Sequence, residues 1–126
     1  MNLSHIPTEA LRAELIARGE RDMILHESRA LAVRIIRHMH PGMAQCAMEG
    51  RLLKYAVAAR WEAIAITTGT GIAWTIEHAA RVFSQTMGNI RTVRKRVAHD
   101  CQTNPDHAER LRKAMELFTT NQQELL

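Results

Sequence analysis

The segment Thr75–Val97 constrains the fold of this chain more than any other part of its sequence. Its apolar and small residues recur at intervals of three and four, which predicts two short helices that each bury one side. A tight turn near Ser84 separates the two helices. We expect the buried sides to pack against each other and against a third helix. The inward positions are Ile76, Ala79, Ala80, Phe83, Ile90, Val93 and Val97.

Positive charge is concentrated in the same part of the chain. Residues 51–100 carry eight Lys and Arg against three Asp and Glu, whereas residues 1–50 carry six of each and residues 101–126 carry three against four. The net charge of +4 therefore arises in the middle segment. Between Glu77 and Asp100 the sequence has no acidic residue. Localised positive charge of this kind is typical of nucleic-acid binders.

The remaining sequence predicts helices and no strands, hence an all-α, multi-helix bundle. Helices are predicted over about 8–18, 20–39, 43–49, 51–66, 75–83, 87–101 and 105–119, with Gly19 ending or kinking the first. Inward positions of the early helices include Ala10, Leu11, Leu15, Ile16 and Ile24. Asn104, Pro105 and Asp106 form a strong helix start. We predict an N-terminal helical extension (1–28), a domain (29–119) and a frayed tail (120–126).

The paired helices follow the pattern of a helix-turn-helix. Counted from Ile76, such a motif has a small residue at position five, hydrophobes at eight, fifteen and eighteen, and a small residue at nine. The chain supplies Ala80, Phe83, Ile90, Val93 and Ser84 there, and departs from the pattern at position ten with Gln85. An ordinary antiparallel helical pair within a core produces a similar pattern, so that interpretation stays open.

The second helix of the pair presents a polar, cationic side opposite its buried positions. Early residues of a recognition helix reach base edges, because that helix enters the major groove. Asn89, Arg91, Thr92 and Lys95 are the predicted base contacts, and Arg94 and Arg96 the predicted phosphate contacts. Met87 is placed to touch a thymine methyl. The exposed side is completed by Gly88 and His99.

From about Ala30 to Phe118 the chain resembles the C-terminal DNA-binding domain of the bacterial chromosomal replication initiator, DnaA, a Trp-repressor-like fold. The resemblance covers LLKYAVAARWEAIAI, which contains an Ala-Arg-Trp run at residues 59–61. It continues through TIEHAARVF, the turn SQT and MGNIRTVRKRV, and ends with NPDHAERLRKAMELF. It implies a DNA-binding domain in which Arg51, Lys54 and Arg60 take the family's role of a basic region reaching the minor groove or backbone.

The chain departs from that family in two places. The family's Asp-His-Thr-Thr-Val-type run at the start of the recognition helix is replaced by Thr86–Ile90, where only the final hydrophobe is shared. This difference argues against recognition of the family's standard DNA box. The family's ATPase module is absent, since Gly69-Thr70-Gly71 lacks the lysine of a phosphate-binding loop.

Other functional classes are less well supported by the sequence. Cys46 and Cys101 predict two reduced thiols, the His38–His40 spacing does not suit a zinc site, and no cofactor is expected. We find neither a secretory signal nor a membrane-spanning run, and expect a cytoplasmic or nucleoid-associated protein.

We therefore expect a non-enzymatic duplex-DNA-binding regulator of transcription or replication, of phage, plasmid or bacterial origin. We expect no membrane partner and no small-molecule substrate, and the N-terminal helices offer a route to a homodimer. The alternative is a helical protein-interaction factor, such as a phage-encoded inhibitor of a host protein, that has reused the domain.

Overall fold

A computed structural model describes residues 8–51 and 53–124, and all regular structure in these residues is helical. The predicted all-α class is confirmed for this part of the chain. Six helices follow in order: α1 (Thr8–Met39), α2 (Ala44–Met48), α3 (Lys54–Thr67), α4 (Ile76–Phe83), α5 (Met87–Thr103) and α6 (Pro105–Glu124).

Helix α3 lies at the centre and packs against each of the other five helices. Small residues make this possible: Ala56, Ala59 and Ala63 are no more than 1% exposed, so the neighbouring helices approach its backbone closely. The core around α3 is aliphatic, with Phe83 its largest fully buried side chain. Its other main members are Leu31, Ile35, Ile36, Ile64, Ile66, Val82, Ile90, Val93, Leu111 and Phe118.

The loop between α3 and α4 runs closely past α6. A Cβ atom placed on Gly71 would overlap the side chain of Thr119, so this position accepts only glycine without a local shift. The loop is also held by the backbone N–H of Trp74, which donates to the Thr67 carbonyl at 2.9 Å. Gly69-Thr70-Gly71 thus joins α3 to α4 and passes beside α6.

Helix α1 is continuous where the sequence predicted a break. It passes through Gly19, so the prediction that this glycine ends a first helix is wrong. A glycine in a helix interior costs only about 1 kcal/mol relative to alanine, too little by itself to stop a 32-residue helix. The predicted boundary between residues 28 and 29 falls inside α1.

The N-terminal half of α1 also differs from its predicted burial. Leu11 and Ile24, predicted to face inward, are 49% and 54% exposed, because contact with the core begins nearer Leu31. The predicted inward side chains of Ala10, Leu15 and Ile16 lie outside the described residues.

At the other end of the chain, α6 extends five residues beyond its predicted end at Thr119 and reaches Glu124. The predicted frayed tail, residues 120–126, is helical as far as Glu124. Gln122, Gln123 and Glu124 are good helix formers, and no glycine or proline stops the helix before them. Residues 125 and 126 lie outside the described residues.

Candidate nucleic-acid interface

The turn between α4 and α5 is fixed by local hydrogen bonds. Thr75 caps α4 by accepting from the His78 N–H at 3.1 Å, as predicted. At the other end of α4, the Gln85 N–H donates to the Ala80 carbonyl at 2.9 Å and the Ser84 N–H to the Arg81 carbonyl at 3.4 Å. These are the paired bonds of a Schellman motif. The three-residue connection therefore has a defined backbone path and sets the direction in which α5 leaves.

In this turn Ser84 has left-handed backbone angles, φ 54° and ψ 46°. Glycine occupies this region without the steric cost that a Cβ atom brings. We expect Ser84→Gly to stabilise the fold by about 0.5–1 kcal/mol, and hence to raise Tm by a few degrees. Thermal unfolding followed by circular dichroism measures the change.

Gln102→Gly is the matched control for this prediction. Gln102 is exposed in the last turn of α5, where its backbone is helical and glycine relieves no strain, so that variant should not melt above the native chain. A Tm for Ser84→Gly at or below the native value would contradict the strain assigned to the turn.

Helix α5 begins directly after this turn, with Thr86 as its N-cap. The Thr86 hydroxyl oxygen accepts from the Asn89 N–H at 3.0 Å, which satisfies one of the free donors at the start of the helix. Ile90, Val93 and Val97 are 0%, 1% and 5% exposed, so the predicted inward side is confirmed. The body of the protein thus holds α5 along one side and leaves the opposite side open.

The open side carries the predicted contact residues. Each of the following side chains is exposed: Met87, Asn89, Arg91, Thr92, Arg94, Lys95, Arg96 and His99, together with Gly88. Among the described residues, no carboxylate forms an ion pair with Arg91, Arg94, Lys95 or Arg96. Their charge is therefore available to an external anion.

Two polar side chains on this surface have local partners. The Thr92 hydroxyl donates to the Gly88 carbonyl at 3.0 Å, within its own helix. The Asn89 side-chain amide donates to the side-chain oxygen of Gln85 across the turn. Both bonds are exposed, so an external partner can replace them at low cost.

A tryptophan extends the cationic surface from α5 towards α3. The Arg96 guanidinium carbon lies 5.6 Å from the centroid of the Trp61 ring, a cation–π contact between the two helices. Lys54 precedes Trp61 by seven residues, or about two helical turns, so it lies on the same side of α3. Lys54 is exposed, as is Arg51, whose guanidinium bonds the Glu49 carboxylate at 3.2 Å. We call the exposed residues of Met87–His99, together with Trp61 and Lys54, the α5 surface.

Arg60 does not belong to this surface. It is only 5% exposed, and its guanidinium lies 3.4 Å from the carbonyl oxygens of both Ala47 and Arg51. The expectation that Arg60 reaches DNA is corrected: its side chain ties the end of α2 to the connection before α3. Burial lowers the pKa of Arg60, but two carbonyl acceptors suit the charged form.

The structure also reveals a buried ionic cluster that the sequence did not predict. The Glu62 carboxylate is bonded by His40 Nε2 at 2.6 Å, by His107 Nε2 at 3.1 Å and by the Arg110 guanidinium. Its partners are His40, which directly follows α1, and two residues of α6, so Glu62 links α3 to α6 and to the end of α1. One feature of the sequence could have revealed that Glu62 is buried. It lies three residues after Ala59 and four before Ile66, which places its carboxylate on the buried side of α3.

A second histidine contact lies between α1 and α4. His78 Nε2 and the Ser28 hydroxyl share a hydrogen bond of 2.8 Å, and the Trp74 ring meets the imidazole edge-on with centroids 5.0 Å apart. Desolvation, with a smaller contribution from nearby Arg81, lowers the pKa of His78. The folded protein therefore favours the neutral imidazole.

This shift predicts that His78 makes stability depend on pH. Because its pKa is lower in the folded state, the unfolded chain takes up the proton first as pH falls below about 6.5. The native chain should lose stability progressively from there down to the folded pKa, and His78→Gln should lack this component. The measurement is the urea midpoint of both proteins between pH 8 and pH 5. The Glu62 cluster is present in both proteins, so its own pH dependence cancels when their urea midpoints are subtracted. If the midpoints of both proteins changed equally with pH, the prediction would be contradicted.

Cys101 lacks the environment of a nucleophile. Burial, followed by the charges of Asp100 and Glu62, raises the pKa of Cys101 and keeps its thiol protonated near neutral pH. No described group of three His, Cys, Asp or Glu side chains has the geometry to hold a metal ion.

None of the helices in the described ranges is long and apolar enough to cross a bilayer. Comparison of the chain with protein-family models, with curated proteins and with solved structures finds no match.

Proposed function

We propose that this chain is a non-enzymatic protein that binds duplex DNA through the α5 surface, with α4 and α5 acting as a helix-turn-helix. The observation that carries the proposal is the combination of a buried aliphatic side and an unpaired cationic side on one helix. Ile90 and Val93 anchor α5 in the core, while Arg91 and Lys95 project away from it. A rigid, cationic, exposed helix of 17 residues has the dimensions and charge to enter a major groove.

Within this proposal the side chains divide by position. Asn89, Arg91, Thr92 and Lys95 contact base edges, because they lie in the first two to three turns of α5. Met87, 42% exposed at the first position, contacts a thymine methyl. Arg94, Arg96, Arg51 and Lys54 contact phosphates on either side of the groove, and Trp61 holds the Arg96 guanidinium in place. The resemblance to the initiator's DNA-binding domain supports the same arrangement.

The biological setting follows from the same resemblance. The resemblance implies a regulator of transcription or replication, in a phage, plasmid or bacterial chromosome. The protein would then act on the nucleoid in the cytoplasm. Its target differs from the initiator's standard box, because Thr86–Ile90 keeps only one residue of that family's reading sequence.

The direct test is the salt dependence of binding to fluorescein-labelled duplex of random sequence, measured by anisotropy. With four phosphate contacts we expect the logarithm of the binding constant to fall with the logarithm of salt concentration with a slope of roughly −3 to −4. Selection of bound fragments from random DNA then gives the target. Absence of binding at low salt, with a protein partner retained from a nuclease-treated lysate, would favour the protein-interaction alternative and contradict this proposal.

A homodimer through the N-terminal helices is a second part of the proposal. Met23 and Ile24 are neighbours near the middle of α1 and are 64% and 54% exposed, which supports an apolar contact there. A two-fold dimer predicts a palindromic target with half-sites one helical turn apart. Light scattering after gel filtration should give twice the 14.3 kDa chain mass, and Ile24→Glu should restore the monomer.

A further inference from the structure

An apolar groove lies between α5 and α6, with Ala65 of α3 at its base. It has a volume of about 320 Å³ and lies beside the α5 surface. Small side chains create the space: Ala65, Ala98 and Ala108 each leave room that a larger residue would fill. Its remaining lining residues are Arg94, Val97, Cys101, Leu111, Arg112 and Met115.

The two arginines of this groove differ in whether their charge is paired with a carboxylate. Arg112 is held by Glu109 at 2.6 Å and by Glu116 at 3.1 Å, so its charge is already paired. Arg94 forms no ion pair with any described carboxylate and is exposed at the opening. The groove therefore offers an apolar interior and one free cation at its mouth.

We propose that this groove binds a small amphipathic carboxylate, with its apolar part among Val97, Leu111 and Met115 and its carboxylate on Arg94. The chemistry of the lining argues for this class of ligand. Mostly apolar walls with one well-placed charge are typical of small-molecule sites, and a volume near the lower end of their range of about 300–1,000 Å³ suits a short chain or a single ring. Arg94 offers a carboxylate two parallel N–H donors.

Occupation of the groove has a consequence for DNA binding, which rests on the proposed function. Arg94 lies on α5 and is assigned there to a phosphate contact. A carboxylate bound to its guanidinium competes with that phosphate for the same donors. The ligand should therefore weaken DNA binding, and DNA should weaken binding of the ligand by the same factor.

Octanoate is the probe for the site, titrated into ¹⁵N-labelled full chain and followed by two-dimensional NMR. We expect saturable shifts concentrated at Val97, Ala98, Cys101 and Leu111. Arg94→Gln should weaken binding about tenfold, because it removes a bidentate, charge-assisted contact that solvent partly replaces at an exposed position. Arg34→Gln removes the same charge from α1 and should leave octanoate binding unchanged. Octyltrimethylammonium, with the opposite charge, should not bind.

Filling the groove provides the second measurement. Ala108→Leu places a larger side chain in the groove from α6 and should abolish octanoate binding, with Ala98→Leu as an independent second variant. Absence of saturable shifts in the folded native chain, or equal binding by the filled variants, would overturn the proposal.

A DNA titration separates this proposal from the proposed function. Octanoate should weaken DNA binding by the native chain and leave that of Ala108→Leu unaffected. If octanoate binds but DNA does not, the carboxylate site is supported and the DNA-binding proposal is contradicted. If DNA binds but octanoate does not, the DNA-binding proposal is supported and the carboxylate site is contradicted.

Discussion

Arg91→Ala combined with Lys95→Ala should eliminate the band shift of duplex DNA while leaving the helical content unchanged. Both side chains are exposed on the open side of α5, so their truncation removes contacts with an external partner and none within the core. Each contact to a base or phosphate contributes roughly 1–3 kcal/mol, so the pair should cost at least about thirtyfold in affinity. Anisotropy titrations and far-ultraviolet circular dichroism measure the two effects separately.

Arg34→Ala with Arg37→Ala is the matched control for this double variant. It also removes two exposed cations, but from α1, which packs against α2, α3, α4 and α6. Its DNA affinity should stay within a few-fold of the native value, because only diffuse electrostatic attraction is lost. Equal losses in both double variants would mean that net charge, and not the α5 surface, governs binding. An unchanged affinity for the Arg91 and Lys95 variant would remove the recognition-helix assignment.

Glu62→Ala should be the most destabilising single substitution that removes a charge. The Glu62 side chain is only 8% exposed and bonds His40 directly after α1 and His107 and Arg110 of α6. Its removal leaves the two half-buried imidazoles without their acceptor and frees the start of α6. Breaking a buried ion pair costs about 3–5 kcal/mol, and because Arg110 is half exposed we expect about 2–3 kcal/mol, or roughly 10 °C in Tm.

Glu109→Ala is the control for the Glu62 prediction. Glu109 also bonds an arginine, Arg112, but both side chains are at least half exposed, so solvent replaces the lost pair and stability should change little. Urea unfolding of both variants at one pH gives the comparison. A Glu62→Ala variant as stable as Glu109→Ala would show that the cluster does not hold the three helices together.

The helices that were predicted best are those whose signals are local. Thr75 and Asn104 act as N-caps where the sequence indicated them, because a cap depends on a side chain and an N–H three residues later. The inward sides of α5 and α6 also follow the sequence, since Ile90, Val93 and Leu111 recur at helical spacing. The local sequence failed at Gly19, because a modest helix penalty does not decide where a long helix ends.

Contacts between distant parts of the chain were beyond local inference. Glu62 meets His40 across 22 residues and His107 across 45, and no spacing rule relates positions so far apart. Arg60 shows the same limit. Its sequence position near Arg51 and Lys54 suggests a surface cation, yet it bonds carbonyls at the end of α2 and in the connection before α3. Its neighbour Ala59 faces the core, and the close packing of α2 on α3 buries both.

The sequence by itself determined the helical class, the caps and the amphipathic character of α5, because these depend on residues within one or two turns of each other. Tertiary structure alone decided which cations stay free. Arg91 and Lys95 remain exposed, Arg96 lies on Trp61, and Arg60 is enclosed. The physical reason is that a side chain's charge is available only if packing leaves it solvated and unpaired, and packing is set by helices that are distant in the chain.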